Sequence, residues 1–358
     1  MRSDEPTRVA QLVARFHRGQ SGTLLSDAPV PARLTHGADH LDDCAVFDLG
    51  GPVTLVAGSD YVRGPKFALY EQGLLSHFDI GYFLVAANVS DIAAMGAAPL
   101  GVLTVVRYPH DLDDDGFHEI MAGINRACDD LGTLNVGGDI GSAERIIVSG
   151  AALGVCAPGT VLTRAGAQPG DLLCVTGPCG LAGAAVAYFP TRGAHRRRLP
   201  DNLEHRLLAG WRRPTARVAQ GRLLSQGRFA TSCQDTSDGL KATIEQLAAA
   251  SGVGFDIHAD AVAIDAAVAA VATLVGVDEI ALAMSGSPDF QLAFTLAPQR
   301  LDACRQAFAC QGLSFDVIGQ ACDPANGVRM TGPDGGTPLP GVTWRHQSDD
   351  LPGLLLRQ

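Results

Sequence analysis

The sequence predicts a two-domain protein of the α+β or α/β class, and three observations support this fold class. The chain has 358 residues, of which 46% are hydrophobic and 18% charged, so it can bury a large core and suits two domains better than one. Short apolar runs typical of strands alternate with helical periodicities along both halves. A stretch rich in Gly, Pro and Ala at 157–169 marks the junction and predicts domains at 1–156 and 157–358.

Composition argues against several classes of partner. The net charge of −11 and the pI near 5.3 disfavour a nucleic acid or an anionic membrane. No apolar run reaches the roughly 18 residues of a transmembrane helix. Charged residues interrupt the apolar runs of the N-terminal stretch, whereas the apolar segment of a signal peptide is uninterrupted. Nine scattered cysteines without a Cys-x-x-Cys pair indicate reduced thiols and therefore a cytoplasmic protein.

The first half reads as short strands around two helices. The predicted strands begin after Asp42-Asp43 and lie at 53–58, 102–107, 135–137 and 146–155; the predicted helices lie at 76–96 and 112–131. Aspartates stand where these strands start or stop: Asp42 and Asp43 before the first, Asp60 after the second, and Asp139 after a Gly137-Gly138 turn. Aspartate also ends ordinary turns, so each position has a purely structural alternative.

The helix at 76–96 is the organising element of the predicted fold. Val85, Val89 and Ile92 recur at helical spacing and form an apolar stripe. Asn88 and Asp91 are three residues apart, so they share a face directly beside that stripe. Burying a carboxylate costs several kcal/mol unless it is paired or binds a metal, so Asp91 indicates either a functional group or a solvated helix edge.

The second half alternates helix and strand and therefore predicts an α/β domain. The predicted strands are 172–176, 255–257, 291–296 and 315–318, and the predicted helices include 203–211, 215–225, 262–275, 299–311 and one beginning at Leu240. Ser237 and Asp238 precede that last helix, where Ser237 could act as its N-cap and Asp238 as a partner of the helix dipole. A glycine-rich loop at 177–183 suits a phosphate but is a weak dinucleotide signal.

Carboxylates at strand ends and on helix faces predict a cation site. Strand ends on one side of a sheet converge, and several carboxylates in one cleft cannot all stay ionised without cations. Hard oxygen ligands select Mg²⁺, which proteins commonly bind through a few carboxylates together with substrate phosphates. Arg164 is a plausible clamp for such a phosphate because guanidinium matches its geometry. The sequence therefore predicts a site for Mg²⁺ and a nucleotide.

The ordered set of motifs resembles the thiamine-monophosphate kinase family, within the superfamily of aminoimidazole ribonucleotide synthetase, selenophosphate synthetase and the hydrogenase maturation ATPase. The resemblance runs from Asp42 to Gln320. The motifs that carry it are Asp42-Asp43-Cys44-Ala45-Val46, Ser59-Asp60, Asn88-Val89-Ser90-Asp91, Gly137-Gly138-Asp139, Leu162-Thr163-Arg164-Ala165-Gly166, Arg213-Pro214, Asp235-Thr236-Ser237-Asp238-Gly239-Leu240 and Ile318-Gly319-Gln320.

The resemblance implies a fold and a chemistry. The N-terminal mixed sheets of two chains would close a barrel across a homodimer, with ATP in clefts beside the interface and Mg²⁺ on aspartates. The implied metal ligands are Asp42, Asp43, Asp60, Asp91 and Asp238. The implied nucleotide contacts are Asn88, Ser90, Gly137, Gly138, Asp139, Arg164 and Ser237. Asp238 and Arg164 would serve the transfer of the ATP γ-phosphoryl group to a small acceptor, which needs alignment and cations more than covalent catalysis.

The acceptor side departs from the family pattern. Phe83 stands where the family has Lys, and Pro288 and Gln291 stand where it has Glu, whereas the carboxylates of the metal site are present. Arg63 and Lys66 add two cations to the loop after Asp60 and, with Asp289, are the predicted acceptor contacts. Two cations favour an acceptor that carries phosphate or carboxylate and no cationic ring.

Two further functions remain compatible with the sequence. One is an ATP-dependent synthetase that phosphorylates a carbonyl or carboxylate oxygen for attack by nitrogen. The other is a nucleotide-binding dimer without catalysis. The loss of three charged residues on the acceptor side favours this function, whereas the retained aspartates disfavour it. Selenophosphate synthetase is disfavoured because Cys44 is the first cysteine and the N-terminal arm carries no reactive Cys or Lys.

Overall fold

The computed structural model describes residues 32–62, 65–195, 198–332 and 335–343, together with Thr7, Gln11, Val13, Ala14, Ser21 and Gly22; within these ranges the side chains of residues 65–67 and 194 are not described. Two mixed sheets, each with helices packed on it, confirm the predicted two-domain α/β fold. None of the helices in these ranges is both long and apolar enough to cross a bilayer.

The first sheet contains six strands in the described residues, in the order β1-β2-β3-β6-β4-β5. Their bounds are β1 Arg33–His36, β2 Ala45–Asp48, β3 Thr54–Val62, β4 Ala98–Tyr108, β5 Asn135–Ser142 and β6 Ile147–Cys156. Only the β4–β5 pair is parallel, and the other neighbours are antiparallel. The six described strands form an open sheet with β1 and β5 at its edges, so they do not close a barrel within one chain.

Three helices of the first half have described bounds: α1 Pro65–Glu71, α2 His77–Ala94 and α3 Asp114–Leu131. A capping box starts α2, because Ser76 accepts a hydrogen bond from the backbone of Asp79 and Asp79 accepts one from the backbone of Ser76. Nearly all of α2 is buried, since it packs on the sheet, on α3 and on elements of the second half. The predicted helix 76–96 is therefore central to the fold, as its sequence indicated.

Two glycines let α2 and α3 pack with their backbones in contact. A Cβ atom at Gly81 would lie 2.1 Å from the carbonyl oxygen of Ile120, and one at Gly123 would lie 2.0 Å from that of Phe78. Such distances are impossible without separating the helices. Glycine at these positions therefore sets the spacing between α2 and α3.

The second sheet contains seven strands in the described residues, in the order β13-β12-β9-β11-β7-β10-β8. The strands are β7 Leu172–Val175, β8 Ala230–Asp235, β9 Gly254–His258, β10 Leu292–Leu296, β11 Asp316–Cys322, β12 Val328–Gly332 and β13 Gly335–Pro338. The helices are α4 Leu181–Tyr188, α5 Asp201–Arg212, α6 Val218–Gln226, α7 Leu240–Ser251, α8 Ala266–Val275, α9 Glu279–Met284 and α10 Leu301–Ala309.

The predicted turn at Gly137-Gly138 is wrong, because β5 continues through both glycines to Ser142. Their φ angles of 131° and 152° lie in a region that other residues rarely adopt. A Cβ atom at Gly138 would also lie 1.6 Å from the carbonyl oxygen of Thr104 in the neighbouring strand. The glycines thus permit close pairing with β4, which a reading of Gly-Gly as a turn signal misses.

The face of the first sheet opposite α2 exposes large apolar side chains. Tyr61, Leu103 and Ile147 are each 40–43% exposed, and they alternate with the buried residues Val62, Val102 and Val148 along their strands. Leu134, Val136 and Ile140, at and before the edge strand β5, are 51–64% exposed. An apolar face of this extent indicates an interaction surface.

We expect Gly81→Ala to destabilise the protein by about 1–3 kcal/mol, because the added methyl group forces α2 away from α3. Urea unfolding followed by circular dichroism measures the change. Gly51→Ala is the matched control, since a Cβ atom there meets nothing within 4 Å, and it should stay within about 0.5 kcal/mol of wild type. Equal effects of the two substitutions would contradict the packing described here.

Candidate active site

One cavity of about 290 Å³ lies between the two halves of the chain and gathers most of the predicted site residues. The members of the predicted set that line it are Asp42, Asp43, Asp60, Asp91, Arg164, Ser237 and Asp238. They come from the approach to β2, from β3, α2 and the linker, and from the loop between β8 and α7. Segments far apart in the sequence thus converge, as expected from aspartates at strand ends.

Three carboxylates cluster beside this cavity, and two of them, Asp43 and Asp91, line it. One oxygen from each of Asp43, Asp91 and Asp235 can be chosen so that all lie within 4.8 Å of one another. Asp43 precedes β2, Asp91 lies near the end of α2, and Asp235 ends β8. The two halves of the chain therefore both contribute to the cluster.

Asp235 is a site residue that the sequence prediction missed. Strand β8 was not predicted, and Asp235 was noted only as part of a motif in which Asp238 was selected. The residue is fully buried, and the Ser90 hydroxyl donates a 2.5 Å hydrogen bond to its Oδ2. Recognition of Ala230–Asp235 as a strand would have identified it, because it is one more aspartate at a strand end.

Burial and mutual repulsion raise the pKa values of these acids. Burial, followed by the charge of Asp43, raises the pKa of Asp235 to about 7. Burial and then Asp235 raise the pKa of Asp91 well above its usual value. Burial and Asp43 raise the pKa of Asp42 to about 6, against the opposing effect of Arg164. Without a cation, the cluster therefore holds protons close to neutral pH.

Arg164 supplies the positive charge on the protein side of the cluster. Its Nη2 atom makes a short ion pair with Oδ1 of Asp43, and its backbone N–H donates to Oδ1 of Asp42 at 3.2 Å. Burial opposes its charge, but Asp43 and then Asp42 raise its pKa overall. Its Nε atom is buried and has no hydrogen-bond partner among the described residues, so one donor remains for a ligand.

The cluster fits a hard divalent cation. Oδ2 of Asp43 and Oδ1 of Asp235 are buried oxygens without a hydrogen-bond partner in the described part of the chain. Unpaired carboxylate oxygens in such a place cost free energy unless a cation binds them. An all-oxygen donor set suits Mg²⁺, which would be held by Asp43, Asp91 and Asp235, with Asp42, Asp60 and Asp238 nearby.

Asn88 and Ser90 stand behind the cavity instead of lining it. The Asn88 carbonyl accepts from the backbone of Asp60 at 3.1 Å, and its amide donates to Leu84 and Asp60 carbonyls. Both side chains are fully buried and bonded to groups of the protein. They hold Asp60 and Asp235 in place, and the predicted contact of either with a nucleotide stays a prediction.

The edge strand holds Gly137, Gly138 and Asp139 outside the cavity. Asp139 pairs instead with Arg107 of the adjacent strand at 2.7 Å, and all three residues are exposed. The structure of one chain therefore does not bring this motif to the carboxylate cluster. The role of Gly137, Gly138 and Asp139 in nucleotide binding therefore stays a prediction.

Asp289, one of the predicted acceptor contacts, is not among the residues that line the cavity. The Asp289 carboxylate accepts hydrogen bonds from the backbone N–H groups of Gly180 and Ala182 at the start of α4. The Asp289 carboxylate thus occupies the glycine-rich loop at 177–183, which the sequence indicated as suited to a phosphate. Arg63 lies outside the described residues, and the side chain of Lys66 is not described, so their predicted roles remain predictions.

Comparison with known proteins matches both halves of the chain to one family. The model of the AIR synthase related protein N-terminal domain matches residues 41–156, and that of the C-terminal domain matches residues 168–330. A protein of Halobacterium salinarum named thiamine-monophosphate kinase is 33% identical over 301 residues, which cover 82% of this chain and 96% of that protein.

Solved structures agree with this match. The crystal structure of thiamine-monophosphate kinase from Stenotrophomonas maltophilia is 28% identical, with a TM-score of 0.70 and coverage of 91% of this chain and 95% of that chain. A structure described as AaThiL complexed with AMPPCP and TMP is 25% identical, with a TM-score of 0.69 and coverage of 85% and 91%.

We expect the affinity for Mg²⁺ to fall about tenfold between pH 8 and pH 6, because Asp235 with a pKa of about 7 becomes protonated and a protonated carboxyl group cannot ligate the ion. Calorimetric titration with MgCl₂ at both pH values measures this. Asp235→Asn should remove most of the binding, whereas Asp111→Asn, on an exposed turn, should not. An affinity independent of pH would contradict the assignment.

Proposed function

Since the chain belongs to the thiamine-monophosphate kinase family of AIR synthase related proteins, we propose that it transfers the γ-phosphoryl group of ATP to the phosphate of a small acceptor, with Mg²⁺. The observation that carries this proposal is the carboxylate cluster with two unpaired buried oxygens beside Arg164. Such a site suits cations and phosphates. Alignment and charge neutralisation are what phosphoryl transfer requires.

The bond changes of the proposed step are simple. The bond between the γ-phosphorus and the bridging oxygen of ADP breaks, a bond forms from that phosphorus to an oxygen of the acceptor phosphate, and ADP leaves with the electron pair. An ionised acceptor phosphate needs no general base. Mg²⁺ would neutralise the phosphate charges while it is held by Asp43, Asp91 and Asp235. Arg164 would place a guanidinium donor on the phosphates.

Other residues position these groups. Ser90 donates to Asp235 and so fixes its orientation, and Asn88 fixes the backbone of Asp60. Asp42, Asp60 and Asp238 line the same cavity and would complete the coordination of the ions. We assign to Asp238 the role of metal ligand that the sequence indicated. We assign the same role to Asp235, which was not among the predicted ligands.

We propose further that the chain is a homodimer whose first sheets meet and close a barrel. The exposed apolar face with Tyr61, Leu103 and Ile147 and the open sheet support this arrangement. A partner sheet beside β5 would also give Gly137, Gly138 and Asp139 a route to the nucleotide, since in one chain these residues stand away from the cavity.

We expect Leu103→Lys to shift the protein from dimer to monomer, because a charge at the centre of the apolar face opposes its burial. Light scattering coupled to size-exclusion chromatography measures the mass. Gln306→Lys, on an exposed face of α10, is the control and should leave the mass unchanged. A wild-type monomer at micromolar concentration would refute the proposed pairing.

We expect Asp91→Asn and Asp235→Asn each to lower kcat at least about a hundredfold while the protein stays folded, because each removes a metal-ligand charge without changing volume. Initial rates with Mg-ATP and circular dichroism spectra are the measurements. Asp111→Asn again serves as the control. Wild-type rates in either cavity variant would remove that residue from the proposed machinery.

Product analysis with γ-labelled ATP and phosphorylated acceptors, thiamine monophosphate among them, tests the reaction class. Label in a diphosphate product supports the proposal. Release of ADP and phosphate together with an amide or amidine would instead establish a synthetase, and tight Mg-ATP binding without turnover on any acceptor would establish a non-catalytic nucleotide-binding protein.

A further inference from the structure

The last described segment of the chain returns to the wall of the cavity. Residues 339–342, which we call the strap, follow β13 and lie beside the loop after α9. The backbone N–H of Gly286 donates to the carbonyl of Val342 at 2.9 Å, and the backbone N–H of Val342 donates to the hydroxyl of Ser285 at 2.9 Å. Because Gly286 lines the cavity, the strap is bonded directly to one of its walls.

Close packing fixes the strap against this wall. A Cβ atom at Gly341 would lie 2.6 Å from the carbonyl oxygen of Ala281 and 2.8 Å from the hydroxyl oxygen of Ser285, so a larger residue would push the strap away. Leu339 is buried in the hydrophobic core of the second half. The strap is thus anchored by its side chains as well as by its backbone.

Lys241 ties the strap to a second element beside the cavity. Its Nζ atom donates to the carbonyl oxygens of Leu339 and Gly341, each at 2.9 Å. Lys241 is the second residue of α7, three positions after Asp238, which lines the cavity. Lys241 itself is not among the residues that line the cavity, so it connects the strap with α7 without facing the site.

The use of lysine at this position is unusual for this chain. Of the 27 lysine and arginine residues in the sequence, only Lys66 and Lys241 are lysine. A compact ammonium group can donate in separate directions to two carbonyls of one segment, whereas the donors of guanidinium form a planar fork. The double contact of Lys241 therefore requires the geometry of lysine and not only a positive charge.

The two loops joined in this way also touch each other. A Cβ atom at Gly239 would lie 2.3 Å from the carbonyl oxygen of Ser285. Ser237 and Asp238 line the cavity from the loop before α7, and Gly286 lines it from the loop after α9. The spacing of these loops therefore sets part of the width of the cavity, and the strap with Lys241 spans both.

We propose that Lys241 is a positioning residue for phosphoryl transfer, because through the strap it holds the wall at Gly286 in place relative to Asp238. The inference rests on the proposed function and adds to it a residue that does not line the site. Phosphoryl transfer depends on alignment, so a looser wall should lower the rate. The cluster of Asp43, Asp91 and Asp235 has its own contacts and should still bind Mg²⁺.

Lys241→Met tests this role, because it keeps most of the side-chain length and removes the donors. With an acceptor that the wild type phosphorylates, kcat should fall at least about tenfold, since alignment is lost, while the Mg²⁺ affinity measured by calorimetry stays within about twofold. Deuterium exchange followed by mass spectrometry should be at least about fivefold faster in the peptide that contains Gly286.

Arg300→Met is the matched control, because Arg300 also donates to a backbone carbonyl, that of Gly227, and does not line the cavity. It should leave kcat, Mg²⁺ affinity and exchange at Gly286 unchanged. A wild-type kcat in Lys241→Met overturns the proposal, and faster exchange at Gly286 together with that kcat would assign Lys241 a purely structural role.

Ser285→Ala tests the same connection from its other end, because Ser285 accepts the N–H of Val342. If both residues act through the strap, kcat of the double variant should lie within about twofold of the lower single variant. Losses that multiply would show that Lys241 acts by another route and would overturn the proposal. If Lys241→Met does not fold, kcat and exchange in Ser285→Ala decide, and failure of both variants to fold would also assign a structural role.

The measurements separate this inference from the proposed function. If the wild type transfers no label to any acceptor, the proposed function fails, whereas the exchange data still decide whether Lys241 holds the wall at Gly286. If the wild type transfers label and Lys241→Met transfers it equally fast, the proposed function stands and the role of Lys241 is wrong.

Discussion

The repulsion among buried carboxylates is the constraint on which the arrangement of this protein depends. Asp43, Asp91 and Asp235 are brought together from three segments, and burial together with the neighbouring carboxylates raises the pKa values of Asp91 and Asp235. The protein offsets this with Arg164 from the interdomain linker and with hydroxyl donors such as Ser90. Two carboxylate oxygens are left without a partner in the described residues, and they mark where a cation belongs.

The position of α2 follows from this constraint. The helix must be buried to bring Asp91 to the cluster, and Gly81 allows α3 to pack directly on its backbone. Burial also places Phe83 in the cavity two turns before Asp91. A single buried helix thus places both a carboxylate and an aromatic ring in the same cavity.

Sequence reasoning predicted the fold class, the central helix and most of the aspartates that meet at the cavity, because helical periodicity and aspartates at strand ends are local signals. It missed Asp235, since the polar strand β8 lacks an apolar pattern and owes its place to pairing with β10. It took Gly137-Gly138 for a turn, since the close approach of Thr104 that requires glycine is a tertiary contact. The ring contacts of Phe83 with Trp211 and Phe290 were also missed, because these residues are far apart in the sequence.

The hydrogen bond between Ser90 and Asp235 joins residues 145 positions apart, and this separation matters while the chain is being synthesised. The first sheet ends at Cys156, so its strands and α2 can leave the ribosome well before β8 exists. During that interval Asp43 and Asp91 face each other without Asp235, and Ser90 lacks its acceptor. The nascent first half therefore lacks one of the three clustered carboxylates until the second half has emerged and docked.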